Sequence, residues 1–221
     1  SSTSRGLGDV YKRQAFMDGG GVALMSCVML KYMEGGLGLL PAVASTIMMV
    51  AKIWDAITDP IMGFISDNTR GKWGRRKPYM FFGGILLIIG IFLLFLPVEE
   101  WGIISADNKA GLIAWMVIMY LLWNTFSTIT MVPYCSMSSD ISPSFKERNN
   151  ANTVKLVFNA AASGLAYVLP LLFIEAFVSY QTGGDGYMFM PNMNATEFWL
   201  AICLIFGTLF GGGLIVTGLF V

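Results

Sequence analysis

At 221 residues, with 55% hydrophobic and only 13% charged side chains, the chain carries about half the charge of an ordinary soluble domain, which sits near 25%. A mean hydropathy of +0.64 sharpens that contrast and describes a membrane protein, which the helical spans read below make all-α. Net charge is zero and no basic stripe extends beyond one loop, which argues against a nucleic-acid partner. The absence of histidine and the scatter of Cys27, Cys135 and Cys203 argue against a zinc site, a disulfide frame and a histidine-based hydrolase, so no enzyme is expected.

Residues 1–14, SSTSRGLGDVYKRQ, are polar and without period. They lack the apolar core of a signal peptide, look like adaptor-derived, non-native sequence, and are set apart from the fold. Residues 15–221 read as one bundle of six transmembrane helices, each near the ~20 residues that a bilayer core requires. The predicted spans are 16–33, interrupted by Gly19, Gly20 and Gly21; 41–66, opened by Pro41 after a glycine-rich turn; 79–96, closed by Pro97; 112–137; 154–177; and 198–221. The last span stops at Val221 inside an apolar run without a polar exit, so the chain is expected to be truncated.

Charge sets the topology. The loop after the second span holds Arg70, Lys72, Arg75, Arg76 and Lys77, and the loop after the fourth holds Lys146 and Arg148. The loops after the third and fifth spans hold one lysine between them, with several acids. Short loops rich in Lys and Arg remain cytoplasmic, so both termini are expected in the cytoplasm, and the chain is expected in the cell inner (plasma) membrane.

The second span carries the chemistry. Charge at bilayer depth costs about 2.5–3.5 kcal/mol per acid on insertion scales and persists where it faces a cavity or a partner. Asp55 and Asp59 are four apart and share one helix face. Pro60 follows directly and cannot donate to the carbonyl of Ala56, which is freed near that face. Two carboxylates, a loose carbonyl and the hydroxyl of Thr58 are hard oxygen donors of the kind a small monovalent cation takes. A plainer reading stands beside it: Lys52 is close enough in sequence to pair with Asp55.

Other polar residues carry two readings each. Asp18, beside the glycines of the first span, suits a substrate hydroxyl or a helix N-cap. Lys155 suits the cavity or the cytoplasmic interface, where a lysine snorkels. Asn124, Thr125, Ser127, Thr128 and Thr130 form a polar face on the fourth span, fit for a ligand or for joining helices.

The run IWDAITDPIMG, followed by Asp67 and GKWGRRKP, resembles the second helix and cytoplasmic loop of the glycoside–pentoside–hexuronide cation symporters, the melibiose-carrier relatives of the major facilitator superfamily. VPYCSMSSDISPSFKERNN resembles that family's stretch from helix four into the next loop. The resemblance implies the N-terminal half of a twelve-helix carrier, in which a sugar or sugar derivative moves with Na⁺ or H⁺ by alternating access. It needs no cofactor beyond the coupling ion. Its partners are the sugar-like substrate, the monovalent cation, the lipid bilayer and the missing C-terminal half.

Residue by residue, the resemblance puts the cation, Na⁺ if sodium-coupled, on Asp55 and Asp59, with Thr58 in place of an asparagine and Thr128 on helix four. It puts substrate contacts on Asp18 and Lys155, the latter where the family has an arginine, and Asn124 is added to them from the polar face of helix four. Met131 and Cys135 stand where the melibiose carrier has Asp and Trp, so a substrate other than a galactoside is expected. Asp67 with Arg75 and Arg76 is expected to act as a conformational latch. A sensor of the same fold that binds without transporting is the alternative.

Overall fold

The computed structural model describes residues 25–69, 77–96, 98, 101–105, 108–137, 149–150, 153–154, 156–165, 167–168, 172, 201, 204–205 and 208. Residues 1–14, the triple glycine, Asp18, Arg75, Arg76, Lys155 and most of the sixth predicted span lie outside them. Every regular element among the described residues is helical.

The first helix, α1, is described from residue 25 and ends in a π-helical turn, Tyr32–Gly36. Gly38 then takes a φ of +60°, a left-handed conformation that glycine adopts without a Cβ clash. That turn delivers the chain to Pro41, the first residue of α2, Pro41–Asn68. Proline suits a helix start because its missing N–H has no helical partner there in any case. Pro60 lies inside α2 without ending it. α3 spans Lys77–Leu94 and α4 spans Lys109–Met137, the latter containing Pro133. At about 1.5 Å per residue, the 28 residues of α2 and the 29 of α4 are each roughly 42 Å long, while the 18 of α3 reach about 27 Å. Residues Lys109–Ser136 form a helix long and apolar enough to cross a membrane by length and composition.

α4 is the hub. It packs against α2 on one side and α3 on the other. Trp54 meets Thr125, Asp59 meets Thr128, and a Cβ at Gly63 would stand 3.8 Å from Val132. Both residue numbers rise together, so α2 and α4 run parallel. Against α3 the order reverses: Gly83 faces Thr130 and Gly90 faces Phe126, so α3 and α4 are antiparallel. Gly83 and Gly90 bring the two backbones together, the use that small residues have between apolar helices.

Met25, Met29 and Tyr32 recur at helical spacing on α1 and turn inward. They join Ala44 and Ile47 of α2, Ile91 and Leu94 of α3, and Met116 of α4 in one core. Tyr32 closes it against Phe95, with ring centroids 4.8 Å apart and planes at 57°. Trp115 packs inward against the same core, while Trp101 in the α3–α4 turn is exposed. Outward, α2 and α3 present isoleucines and phenylalanines such as Ile57, Phe64, Phe82 and Ile89. A soluble domain would bury such a surface, whereas a bilayer solvates it at no cost.

Candidate functional site

The acids of α2 and the polar face of α4 meet at a cavity of about 400 Å³. From α2 it is lined by Lys52, Asp55 and Asp59, at spacings of three and four that put all three on one face. From α4 it takes Tyr120, Asn124 and Thr128, again one face at spacings of four, with Ser127 and Met131 beside them. Ser26 of α1 and, along α4, Trp123, Val132, Cys135 and Ser136 complete the wall.

Asp59 accepts a hydrogen bond from the Thr128 hydroxyl, Oγ1 to Oδ1 at 3.0 Å, across the α2–α4 interface. Asp55 is divided. Its Oδ2 accepts from the Lys52 ammonium at 3.1 Å, while its Oδ1 is buried without a hydrogen-bond partner. A buried carboxylate oxygen lacking a partner is costly and marks a place where a ligand or water is owed. The pairing of Asp55 with Lys52 is the plainer reading of that acid, and it accounts for one of the two oxygens.

Thr58 turns elsewhere. Its hydroxyl donates to the Trp54 carbonyl at 3.1 Å, with the Asp55 carbonyl at 3.4 Å, and the residue stands outside the cavity lining. Such back-bonding along the same helix is the usual resort of a mid-helix threonine. Asn124 lies on the cavity wall, 4% exposed, and its Nδ2 donates to the Tyr120 carbonyl at 2.7 Å. Asp67 is exposed in the last turn of α2. Just beyond it, the Thr69 hydroxyl hydrogen-bonds the Tyr79 phenol, tying the end of α2 to the start of α3.

The polar face read on the fourth span is therefore divided by function. Asn124, Ser127 and Thr128 turn to the cavity. Thr125 accepts from the Trp54 indole at 2.9 Å and donates to the Leu121 carbonyl at 2.8 Å. Thr130 is buried under Gly83 of α3 and donates to the Phe126 carbonyl. Sequence reasoning missed Tyr120 and Trp123, which line the cavity with rings nearly parallel at 8° and centroids 5.9 Å apart. The helical spacing of Tyr120, Asn124 and Thr128 was the signal that would have found the first of them.

Residues 20–216 match the family model described as MFS/sugar transport protein. An uncharacterized symporter of Synechocystis is 30% identical over 135 residues, covering 61% of this chain and 25% of that protein. An Escherichia coli protein with the provisional name glycoside/cation symporter YagG is 33% identical over 169 residues, covering 75% of this chain and 35% of that protein. The sodium-dependent lysophosphatidylcholine symporter 1 of Gallus gallus is 34% identical over 118 residues, covering 52% of this chain and 21% of that protein. The chain thus spans about a fifth to a third of the length of the curated relatives it matches. With a family match that runs through residues 20–216 of its 221, this chain belongs to the MFS/sugar transport protein family.

Proposed function

We propose that the chain is the N-terminal six-helix bundle of a twelve-helix secondary transporter of the inner membrane, its N-terminus cytoplasmic. It couples a monovalent cation to a sugar or sugar derivative by alternating access. The observation that carries this reading is the pair of acids on one face of a common cavity, one bonded to Thr128 and the other with an unpartnered buried oxygen. Carboxylates in an apolar bundle attract a small cation, and the donors around them are hard oxygens. Bound cation neutralises charge that otherwise opposes closing the cavity from water, so substrate and cation favour the same occluded state.

In this reading Asp55, Asp59 and Thr128 hold the coupling ion, and Asp18 and Lys155 contact the substrate. A second six-helix half of the carrier, in this reading, supplies the other wall, because transporter sites lie between repeats and opening alternates across them. A cavity of about 400 Å³ with an aromatic side at Tyr120 and Trp123 suits a solute of sugar size. The names of the relatives given above are symporter names, which favours transport over sensing. A second substrate class, a lysophospholipid-like amphiphile, is favoured by one observation: Met131 and Val132 make part of the wall apolar.

Sodium binding to the full-length protein, compared with its Asp59→Asn variant, tests the reading. Saturable binding that disappears in the variant supports a sodium site. Binding that survives Asp59→Asn removes Asp59 from it. If neither protein binds sodium, substrate-triggered proton uptake decides between proton coupling and a protein that does not transport.

A further inference from the structure

We propose that the carboxamide oxygen of Asn124 is a ligand of the coupling cation and sets the site's preference among alkali ions. The inference rests on the cation site proposed above and adds to it a residue of α4 in the role that sequence assigned to Thr58 of α2.

Three observations point there. First, α2 contributes no neutral side-chain oxygen to the cavity. Thr58 is turned onto the Trp54 carbonyl, and the α2 residues on the wall are Lys52, Asp55 and Asp59. The remaining oxygens come from the facing helix. Second, Asn124 is placed by register. The Trp54–Thr125 and Asp59–Thr128 hydrogen bonds fix the parallel α2–α4 pair. Asp55 follows Trp54, and Asn124 precedes Thr125 and lies one turn before Thr128 on the same face. Asp55, whose Oδ1 lacks a partner, and Asn124 line one cavity.

Third, the orientation of the amide is dictated by its partner. The Tyr120 carbonyl only accepts, so the group 2.7 Å from it is the NH₂ end. The carbonyl end of the amide is then the opposite one. An amide buried to 4% exposure, with its nitrogen anchored to its own helix, holds that oxygen without further ordering cost. Anchored in this way, a carboxamide oxygen is a hard neutral ligand, and added to two carboxylates and the Thr128 hydroxyl it raises the oxygen count without raising the charge. Ligand number and field strength are what separate ions of equal charge.

The test is titration of the full-length protein with Na⁺ and with Li⁺, for the wild type and for Asn124→Ala, Asn124→Asp and Asp59→Asn. The expected result is that Asn124→Ala weakens Na⁺ binding about tenfold and shifts the Na⁺/Li⁺ affinity ratio about threefold or more. Asn124→Asp keeps an oxygen at the position and is expected to bind Na⁺ within about threefold of the wild type. A residue that merely anchors its helix predicts the reverse: both ions weakened equally, and Asn124→Asp as damaging as Asn124→Ala, since a carboxylate cannot donate to Tyr120. Either that pattern, or unchanged affinity in Asn124→Ala while Asp59→Asn has lost binding, overturns the inference and leaves the cation site standing. A wild type that binds neither ion overturns both. If Asn124→Ala does not fold, the Na⁺/Li⁺ ratio of Asn124→Asp decides alone, and an unchanged ratio overturns the proposal.

Discussion

The hydroxyl of Thr128 on α4 donates to Oδ1 of Asp59 on α2 across 3.0 Å, joining two helices that run parallel through the bundle. The contact connects residues 69 positions apart in the chain, and it fixes which face of α4 the acids of α2 see. Removing the hydroxyl while keeping the shape is the direct way to weigh it. If the proposed cation site is right, Thr128→Val is expected to lower cation affinity about tenfold, equal to about 1.4 kcal/mol, because it removes a proposed oxygen ligand together with the charge-assisted bond that positions Asp59. Cation titration of the purified protein reads this, and an affinity equal to wild type would remove Thr128 from the site.

Lys52 holds Oδ2 of Asp55 at 3.1 Å from within the same helix, so at the proposed site the ammonium would compete with the cation for one carboxylate. The lysine side chain is 69% exposed, and solvent screening keeps its hold modest. Lys52→Gln is therefore expected to raise Na⁺ affinity about threefold, an effect that added salt of a non-binding cation diminishes. A variant whose affinity falls would show that the lysine orients Asp55 rather than competing at it.

Gly83 of α3 stands directly under Thr130, whose buried hydroxyl is already committed to the Phe126 carbonyl. A methyl group there meets the threonine side chain, and α3 and α4 must separate or Thr130 must leave its rotamer. Overpacking of this kind costs about 1–3 kcal/mol. Gly83→Ala is expected to lower the midpoint of thermal unfolding in detergent, and Thr130→Ala in the same chain to recover part of it. An additive double mutant, with no recovery, would contradict the contact.

Asp67 lies at the end of α2, where the loop rich in Arg and Lys begins. An acid beside clustered arginines forms a charge-assisted contact that must break when the halves of a carrier rock. Asp67→Asn is expected to shift the resting orientation, read as altered reactivity of cysteines placed on either side of the membrane, and to leave cation affinity within about twofold of wild type. Loss of cation binding in that variant would count against the proposed latch role of Asp67 and place it at the cation site.

Much of this was legible in the chain before its structure. The α2 span was read as 41–66 and is observed as Pro41–Asn68, and α4 was read as 112–137 and begins three residues earlier, at Lys109. Proline, glycine and apolar run length set these limits locally, so the sequence carries them. The same is true of the shared face of Asp55 and Asp59, which follows from a spacing of four in any helix. The motif around them was specific enough to point to the family that the chain belongs to.

What each side chain faces was decided only by tertiary structure. In sequence Thr58 and Asn124 are simply polar residues on two helices. In the fold, Thr58 closes onto its own backbone and Asn124 stands on the wall with the acids. Thr125, Thr128 and Thr130, alike on paper, bond to Trp54, to Asp59 and beneath Gly83 respectively. Lys52 takes one oxygen of Asp55 and leaves the other buried and unpaired. The physical reason is common to all of them. Helix formation depends on neighbours within a turn, whereas the partner of a polar group in an apolar bundle depends on which helices pack, in which direction and at which register.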